Sequence, residues 1–553
     1  MHNRRHRSGR VYGFLTTAIL AVVGLFTFVH LTFGKGAPKQ RSTIRSAAPA
    51  KERPDIAQFR ARVEKALAAF PAAKASWGLL VVDRDTGETL YSLNSDRFFA
   101  PASNAKIITT ALAFSALGPE YRYRTTLESK ANIDSDGHLA GNLILMGRGD
   151  PDLSNRKFPY DSKVDFDGPV DKILAELADA ALTKGLKEVD GDIVGDDSYF
   201  PYDPYPAGWT EGDFFFRFGA PVSAIAFNDN SFTVQMIPGA VAGARATLLV
   251  DPPAAESTFG HDLLTVSPGE KSEFSVVRQP GMDFLLLRGS IAVGHSPMRI
   301  DLAMSRPAEL AAAELKTLLE ARGVRVMGAV NVQHGPPPQT ASNGDPILPT
   351  AGPNPSGTVY PSILAEHISQ PLAEIIRITN KTSQNLHAEL LLRTVGREKL
   401  GLGSVAAGLK VERDFLKTAG IEDGDVILSD GSGLARDDLV TPRAMATLLR
   451  YASHQPWGEA FFSTLPVAGV DGTLANRMKN TAAAGLVEAK TGAADHVRAL
   501  SGYVATMHGE YLVFSMFENN SPLRGLDATA TLDDISVAMV ETLGTGAVPA
   551  ARK

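Results

Sequence analysis

Ser103 and Lys106 stand three residues apart in "PASNAKIITT". On a helix, positions i and i+3 share a face, so this hydroxyl and this amine can meet. A serine needs a base to become a nucleophile. An amine emerging from an apolar segment is desolvated, which lowers its pKa and lets it act as that base. The spacing alone leaves two readings, a nucleophile with its base or a hydroxyl at a helix N-terminus. The same spacing recurs at Ser154 and Lys157, in "DPDLSNRKFPYD". No periodic apolar run follows there, and that copy reads as a loop coincidence.

Two later stretches bear on the choice. Ser383-Gln384-Asn385 opens an apolar helix in "NKTSQNLHAELLLRTVG", and Lys490-Thr491-Gly492 closes a short apolar stretch in "GLVEAKTGAADHVRALSGYVAT". Ser-x-x-Lys, then Ser-x-Asn, then Lys-Thr-Gly is the signature of penicillin-interacting serine enzymes. The three parts supply a nucleophile with its base, a proton shuttle to a leaving amine, and a cation with a hydroxyl for a carboxylate. A second Ser-x-Asn, Ser92 to Asn94, falls in an expected strand ahead of the nucleophile.

The elements that must carry these groups are legible nearby. Ile56, Phe59, Val63, Leu67 and Phe70 recur every three or four residues and predict an amphipathic helix. "WGLLVVDRDTGETLYSLN" predicts two strands turning at Asp85-Thr86-Gly87. Ile107, Ile108, Ala111, Leu112 and Leu117 form the buried stripe of a helix that starts near Pro101 and stops at Gly118. Ser103 then lies near a positive helix end, which favours developing negative charge. From Ser103 to Ser383 is 280 residues. The interval is dense in strand-like runs such as "GNLILMGRGDPDL" and "SAIAFNDNSFTVQMI", with one helix in "RPAELAAAELKTLLEARG". It predicts a large β-rich insertion.

The chain has 553 residues and a net charge of −6, so no overall basic field points to nucleic acid. It has no cysteine, which excludes thiol catalysis, disulfides and Cys-ligated zinc. Its histidines show no metal-ligand spacing, and no Walker loop is present, so neither metal nor cofactor is expected. Arg4, Arg5, Arg7 and Arg10 precede an uncharged run from Val11 to Gly34, broken only by His30. That run is long enough to cross a bilayer. The basic flank is expected to stay in the cytoplasm, with the remainder outside. Residues 1–34 therefore read as a signal-anchor, with a cleaved signal peptide as the alternative, and residues 35–55 as a linker.

From residue 56 to about 545 the chain resembles the low-molecular-mass class C penicillin-binding proteins, the D-alanyl-D-alanine carboxypeptidase/endopeptidase family. The three motifs carry the resemblance, with "GRGDPDL", "DDSYF", "GAPVSAIAFNDN" and "SDGSGLARDDLVTP". It implies a multi-domain α/β (α+β) fold. A transpeptidase-like domain, residues 56–128 and 355–545, would hold an antiparallel sheet flanked by helices. Residues 129–354 would form accessory domains, with a smaller one nested at about 235–297. Compact β-lactamase-like members of the wider group keep the motifs closer in sequence.

The resemblance also implies roles. Ser103 attacks the carbonyl of the penultimate D-Ala of a peptidoglycan stem peptide, and Lys106 takes its proton. Ser383 and Lys490 relay a proton to the leaving amine, and Asn385 holds Lys106 and the substrate amide. Thr491 binds the terminal carboxylate, and the backbone N–H groups of Ser103 and of Ala493, after Gly492, form the oxyanion hole. β-Lactams would form the same ester. Relatives often carry hydroxyls just after Lys-Thr-Gly, where this chain has Ala493-Ala494-Asp495-His496. An acid and an arginine near the cleft can recognise diaminopimelate. Candidates are Glu211 or Asp213, with Trp209 as a wall, and Arg436. Competing readings are a serine β-lactamase and a non-catalytic wall-binding protein. Intact nucleophile, base and shuttle residues argue against the second, and the long insertion against the first.

Overall fold

The computed structural model describes residues 53–253, 255, 259–278, 284–348, 361–523 and 529–544. The expected membrane segment at 11–34 lies outside them. Among the described residues no helix is long and apolar enough to cross a membrane.

In chain order, the elements that build the site begin with helix α1 (Pro54–Ala68), strands β1 (Ser76–Asp83) and β2 (Thr89–Leu93), and helix α2 (Lys106–Leu117). Helices α3 (Leu372–Thr382), α4 (Asn385–Leu400) and α5 (Pro442–Ser453) follow the insertion. Strands β3 (Val487–Ala494), β4 (Val497–Ala505) and β5 (Tyr511–Asn519) and helix α6 (Ala530–Thr542) complete the set. The five strands form one sheet in the order β2-β1-β5-β4-β3, with every neighbour antiparallel.

Side chains alternate across this sheet, as a pleated strand requires. Leu79, Val81, Phe514 and Met516 pack with Ile56 and Phe59 of α1 and Ile535 of α6. Leu80, Val82, Val513 and Phe517 pack with Ile107 and Ile108 of α2, Leu391 of α4 and Met445 of α5. The sheet is thus covered by helices on both faces, and α2 is buried along Lys106 to Phe114. One expectation fails in detail. Phe70, placed by periodicity on the buried stripe of α1, is 82% exposed. The helix ends at Ala68, because Pro71 disfavours helical geometry at the residue before it.

The interval between the motifs is strand-rich, and its main sheet is mixed. Val330–Gly335, Ile193–Pro201 and Leu143–Met146 run parallel, and Arg124–Ser129 and Ser362–Ile368 add antiparallel strands. The helix Pro307–Ala321 and the helix Lys172–Thr183 pack in its core. Two further three-stranded sheets span residues 231–303. The hairpin of Arg156–Asp161 and Val164–Phe166 reaches the catalytic sheet's side, where Tyr160 Oη accepts from Gly472 N at 3.2 Å.

Candidate active site

Ser103 lies in a 3-10 turn, Ala102–Ala105, that leads into α2 at Lys106. Ala102 has φ 45°, a costly conformation for alanine that aims the turn at the sheet. The turn is pressed onto β3. A Cβ on Gly492 would lie 2.4 Å from Pro101 O, so only glycine permits this approach. Asn104 Nδ2 donates to Lys490 O at 2.7 Å and ties the turn to the strand.

Lys106 Nζ is fully buried and has three oxygen neighbours: Ser103 Oγ at 2.9 Å, Asn385 Oδ1 at 2.6 Å and Ser432 O at 2.7 Å. The Asn385 orientation is set by its other end, since Nδ2 donates to Phe218 O at 2.7 Å. Asn385 Oδ1 and Ser432 O can only accept. A neutral amine spends its two N–H groups on them and turns its lone pair to the Ser103 hydroxyl. Burial pulls the Lys106 amine down to about 7, opposed first by the charge of Asp430. The amine is therefore partly neutral near pH 7 and can receive a proton.

Lys490 Nζ is also fully buried and donates to Ser383 Oγ at 2.8 Å and to Thr491 O at 2.9 Å. Burial first, and then repulsion from Lys106, hold it well below the usual amine value. Ser383 ends α3 in a left-handed conformation, φ 61°, and Gln384 caps α4 by accepting from Leu386 N. The break between the two helices is what turns Ser383 and Asn385 toward the two lysines. The Thr491 hydroxyl lies 2.8 Å from that of Thr473. Asp495 and His496 form the turn after β3, and His496 Nδ1 bonds Ser521 O at 2.7 Å, a rim position.

Behind Lys106 sits a loop organised by Asp430. Its carboxylate accepts from Ser432 N and Oγ, Gly433 N, Leu434 N, Ala435 N and Trp209 Nε1, at 2.6–3.0 Å. This bonding fixes the Ser432 carbonyl on Lys106. Glu389 accepts from Gly431 N at 2.8 Å and from Arg393 at 2.8 Å. Burial pushes Asp438 up to about 10 and Glu389 up to about 7. Asp438 Oδ2 has no hydrogen-bond partner, and the neighbouring Asp430 charge adds to the rise. Asn104, Asp430, Ser432 and Thr473 carried no assignment from sequence. "SDGSGLARDD" stood out as a string, but only folding shows its carbonyl on the lysine.

The remaining candidates lie close by. Trp209 is buried, with its indole N–H on Asp430. Asp213 is buried, accepts from Thr210 N and Oγ1, and pairs with the half-exposed Arg436 at 3.4 Å. Glu211 is exposed. Ser154 is structural: its hydroxyl donates to Ala226 O and accepts from Asp229 N, and Lys157 pairs with Asp167. Among the described residues His138, Glu188 and Asp190 bring three possible metal-ligand atoms together at a small separate sheet of His138–Leu139, Glu188–Val189 and Arg325–Val326, but Glu188 is already bound to Arg325.

The model of the D-Ala-D-Ala carboxypeptidase 3 (S13) family matches residues 59–345 and 354–542. The chain belongs to this family. It is an enzyme of the serine D-Ala-D-Ala carboxypeptidase type. A D-alanyl-D-alanine carboxypeptidase of Actinomadura sp. (strain R39) is 33% identical over 487 residues, 86% of this chain and 83% of that protein. D-alanyl-D-alanine carboxypeptidase DacB of Haemophilus influenzae is 27% identical over 80% of this chain and 85% of its own length. The crystal structure of penicillin binding protein 4 from Haemophilus influenzae superposes with a TM-score of 0.71 at 25% identity, covering 86% of this chain and 98% of that one. The expected mixed α/β fold with an antiparallel catalytic sheet is thus the S13 peptidase fold.

Proposed function

We propose that this S13 peptidase cleaves D-Ala-D-Ala and D-Ala cross-links of peptidoglycan stem peptides through an ester on Ser103. The observation that carries this is Lys106 Nζ, 2.9 Å from Ser103 Oγ, with its two N–H groups engaged elsewhere. The Ser103 oxygen attacks the carbonyl carbon of the penultimate D-Ala as its proton passes to Lys106. The oxyanion meets the N–H groups of Ser103 and Ala493, each donor worth about 3 kcal/mol in the transition state. The C–N bond breaks as the leaving nitrogen takes the Ser383 proton; Lys490 supports that hydroxyl at 2.8 Å, and the proton collected by Lys106 replaces it, leaving Lys106 neutral. Water then attacks the ester, its proton passing to Lys106 and on to Ser103 Oγ as the acyl C–O bond breaks, which frees the acid and restores the serine.

Thr491 and Thr473 together offer two hydroxyls to the terminal carboxylate. Thr473 supplies from a neighbouring turn the hydroxyl that Ala493 and Ala494 lack. A carboxylate bound beside Lys490 raises its pKa, against the burial and the Lys106 repulsion that lower it. Asp213 and Arg436, already paired, suit the amine and carboxylate of a diaminopimelate side chain, with Trp209 behind them through Asp430. We also infer that residues 11–34 carry the enzyme domain outside the cytoplasm and hold it on the membrane, a reading supported by their apolar length and basic flank.

The test is mass spectrometry of muropeptides after incubation with the enzyme. Loss of one alanine or conversion of dimers to monomers is expected, and neither with Ser103→Ala. A fluorescent penicillin should label the wild type and not Ser103→Ala. Peptide hydrolysis that survives Ser103→Ala refutes the mechanism, and rapid turnover of penicillin instead of a lasting adduct favours a β-lactamase.

A further inference from the structure

A cavity of about 450 Å³ opens beside Ser383 and Asn385. Its other wall belongs to the inserted segment and includes Arg156, Asp165, Phe216 and Arg217. We propose that this groove receives the leaving half of a cross-linked peptide dimer, with Arg156 and Arg217 meeting one of its carboxylates. The inference rests on the Ser103 carboxypeptidase reading and extends it to the leaving strand.

Position is the first reason. Ser383 protonates the leaving nitrogen, so the atoms attached to that nitrogen begin at Ser383. A released D-alanine ends there, with its carboxylate at Thr491. A leaving stem peptide continues, and the adjoining void is this groove.

Charge is the second. Arg156 and Arg217 both bind the fully buried Asp229, Arg217 at 2.7 Å, and Asp229 also bonds His387 Nε2 at 3.0 Å. Two guanidiniums share one buried carboxylate, which leaves the inner end of the groove short of negative charge. Arg156 is 3% exposed at its side chain, and its Nε has no hydrogen-bond partner. The outer rim is acidic instead. Asp165 lies 3.9 Å from Arg156 and Asp301 lies 3.5 Å from Arg217, both more exposed than Asp229. A leaving strand that sets a carboxylate at the inner end keeps it away from the acidic rim. Phe216 gives its backbone an apolar face.

Rigidity is the third. The hairpin bearing Arg156 and Asp165 is held by Tyr160 Oη on Gly472 N, next to Thr473. Phe166 lies under the Arg156 guanidinium at 4.6 Å. The groove is therefore present before any peptide arrives.

The test compares purified cross-linked muropeptide dimers with monomeric pentapeptides as substrates of the full chain. Asp165→Trp fills the groove from an exposed strand position, and Arg217→Gln removes an anchor. Penicillin labelling of Ser103 reports that each variant is folded. The ratio of dimer cleavage to monomer trimming, each as kcat/KM, is expected to fall about tenfold in Asp165→Trp and in Arg217→Gln. A ratio that stays within about twofold of wild type in folded Asp165→Trp overturns the groove. So does a wild-type enzyme that trims monomers but leaves dimers intact. A wild type that processes neither substrate refutes the carboxypeptidase reading itself.

Discussion

The most exposed part of the mechanism is the proton acceptor, and Asp430→Asn probes it without touching either reacting group. An amine with the ordinary value of 10.5 is neutral in about one molecule in 3,000 at pH 7. At about 7 it is neutral in half, a gain of roughly a thousandfold in competent enzyme, or about 4 kcal/mol. Burial drives that fall, and the Asp430 charge opposes it. Removing the charge must therefore lower the Lys106 pKa further, not raise it. Asparagine also breaks the loop. Asp430 Oδ1 accepts from Ser432 N and Gly433 N, and Oδ2 from Ser432 Oγ, Leu434 N, Ala435 N and Trp209 Nε1. An amide NH₂ at either position faces at least two donors. Each orphaned N–H costs about 1–3 kcal/mol, so the Ser432 carbonyl loosens and the plateau rate should fall about 10- to 100-fold. The assay is the second-order acylation rate with a fluorescent penicillin across pH 5–9, whose acid limb reports the free enzyme. Wild type should rise through a midpoint near 7. Asp430→Asn should show a lower plateau and a midpoint at lower pH. A wild-type midpoint at the ordinary lysine value, or a variant midpoint that moves upward, refutes the neutral-lysine account.

Two further outcomes follow from the packing. Gly492→Ala places a methyl group 2.4 Å from Pro101 O and 2.9 Å from Ala499 Cβ, so the nucleophile turn must lift off β3. Penicillin labelling should slow by about a hundredfold, and a variant that labels normally would show that the turn has room to spare. Glu412 is buried, and burial raises its carboxyl from 4.5 to about 8. The folded value lies above the unfolded one, so the native state gains from the proton below 4.5 and loses that gain as pH rises through about 8. Glu412→Gln should stabilise the protein by about 3 kcal/mol at pH 7 and by much less at pH 4.5, read by thermal melts. A stability gap independent of pH would contradict the burial argument.

Much of the site was legible as spacing. Ser103 with Lys106 needs one helical turn, and Ser383 with Asn385 needs one helix start, so each pair is a local fact of the chain. The alternation along β1 and the periodicity of α1 and α2 were equally local, and they set which faces are buried. Phe70 shows the limit of such patterns, because one proline ends the helix before the stripe does. The parallel pairing of Ile193–Pro201 with Leu143–Met146 and Val330–Gly335 was not written in any single run, since strand direction depends on what crosses between.

The amino-acid sequence by itself determined the candidate reacting groups, their order along the chain and the family the chain belongs to. Tertiary structure decided how those groups are tuned. Lys106 is set by a carbonyl 326 residues away and by carboxyls on a loop and a helix after the insertion, and Lys490 by burial and by Lys106 itself. Hydrogen bonds, desolvation and Coulomb forces act over ångströms in space, and separation along the chain carries no record of them.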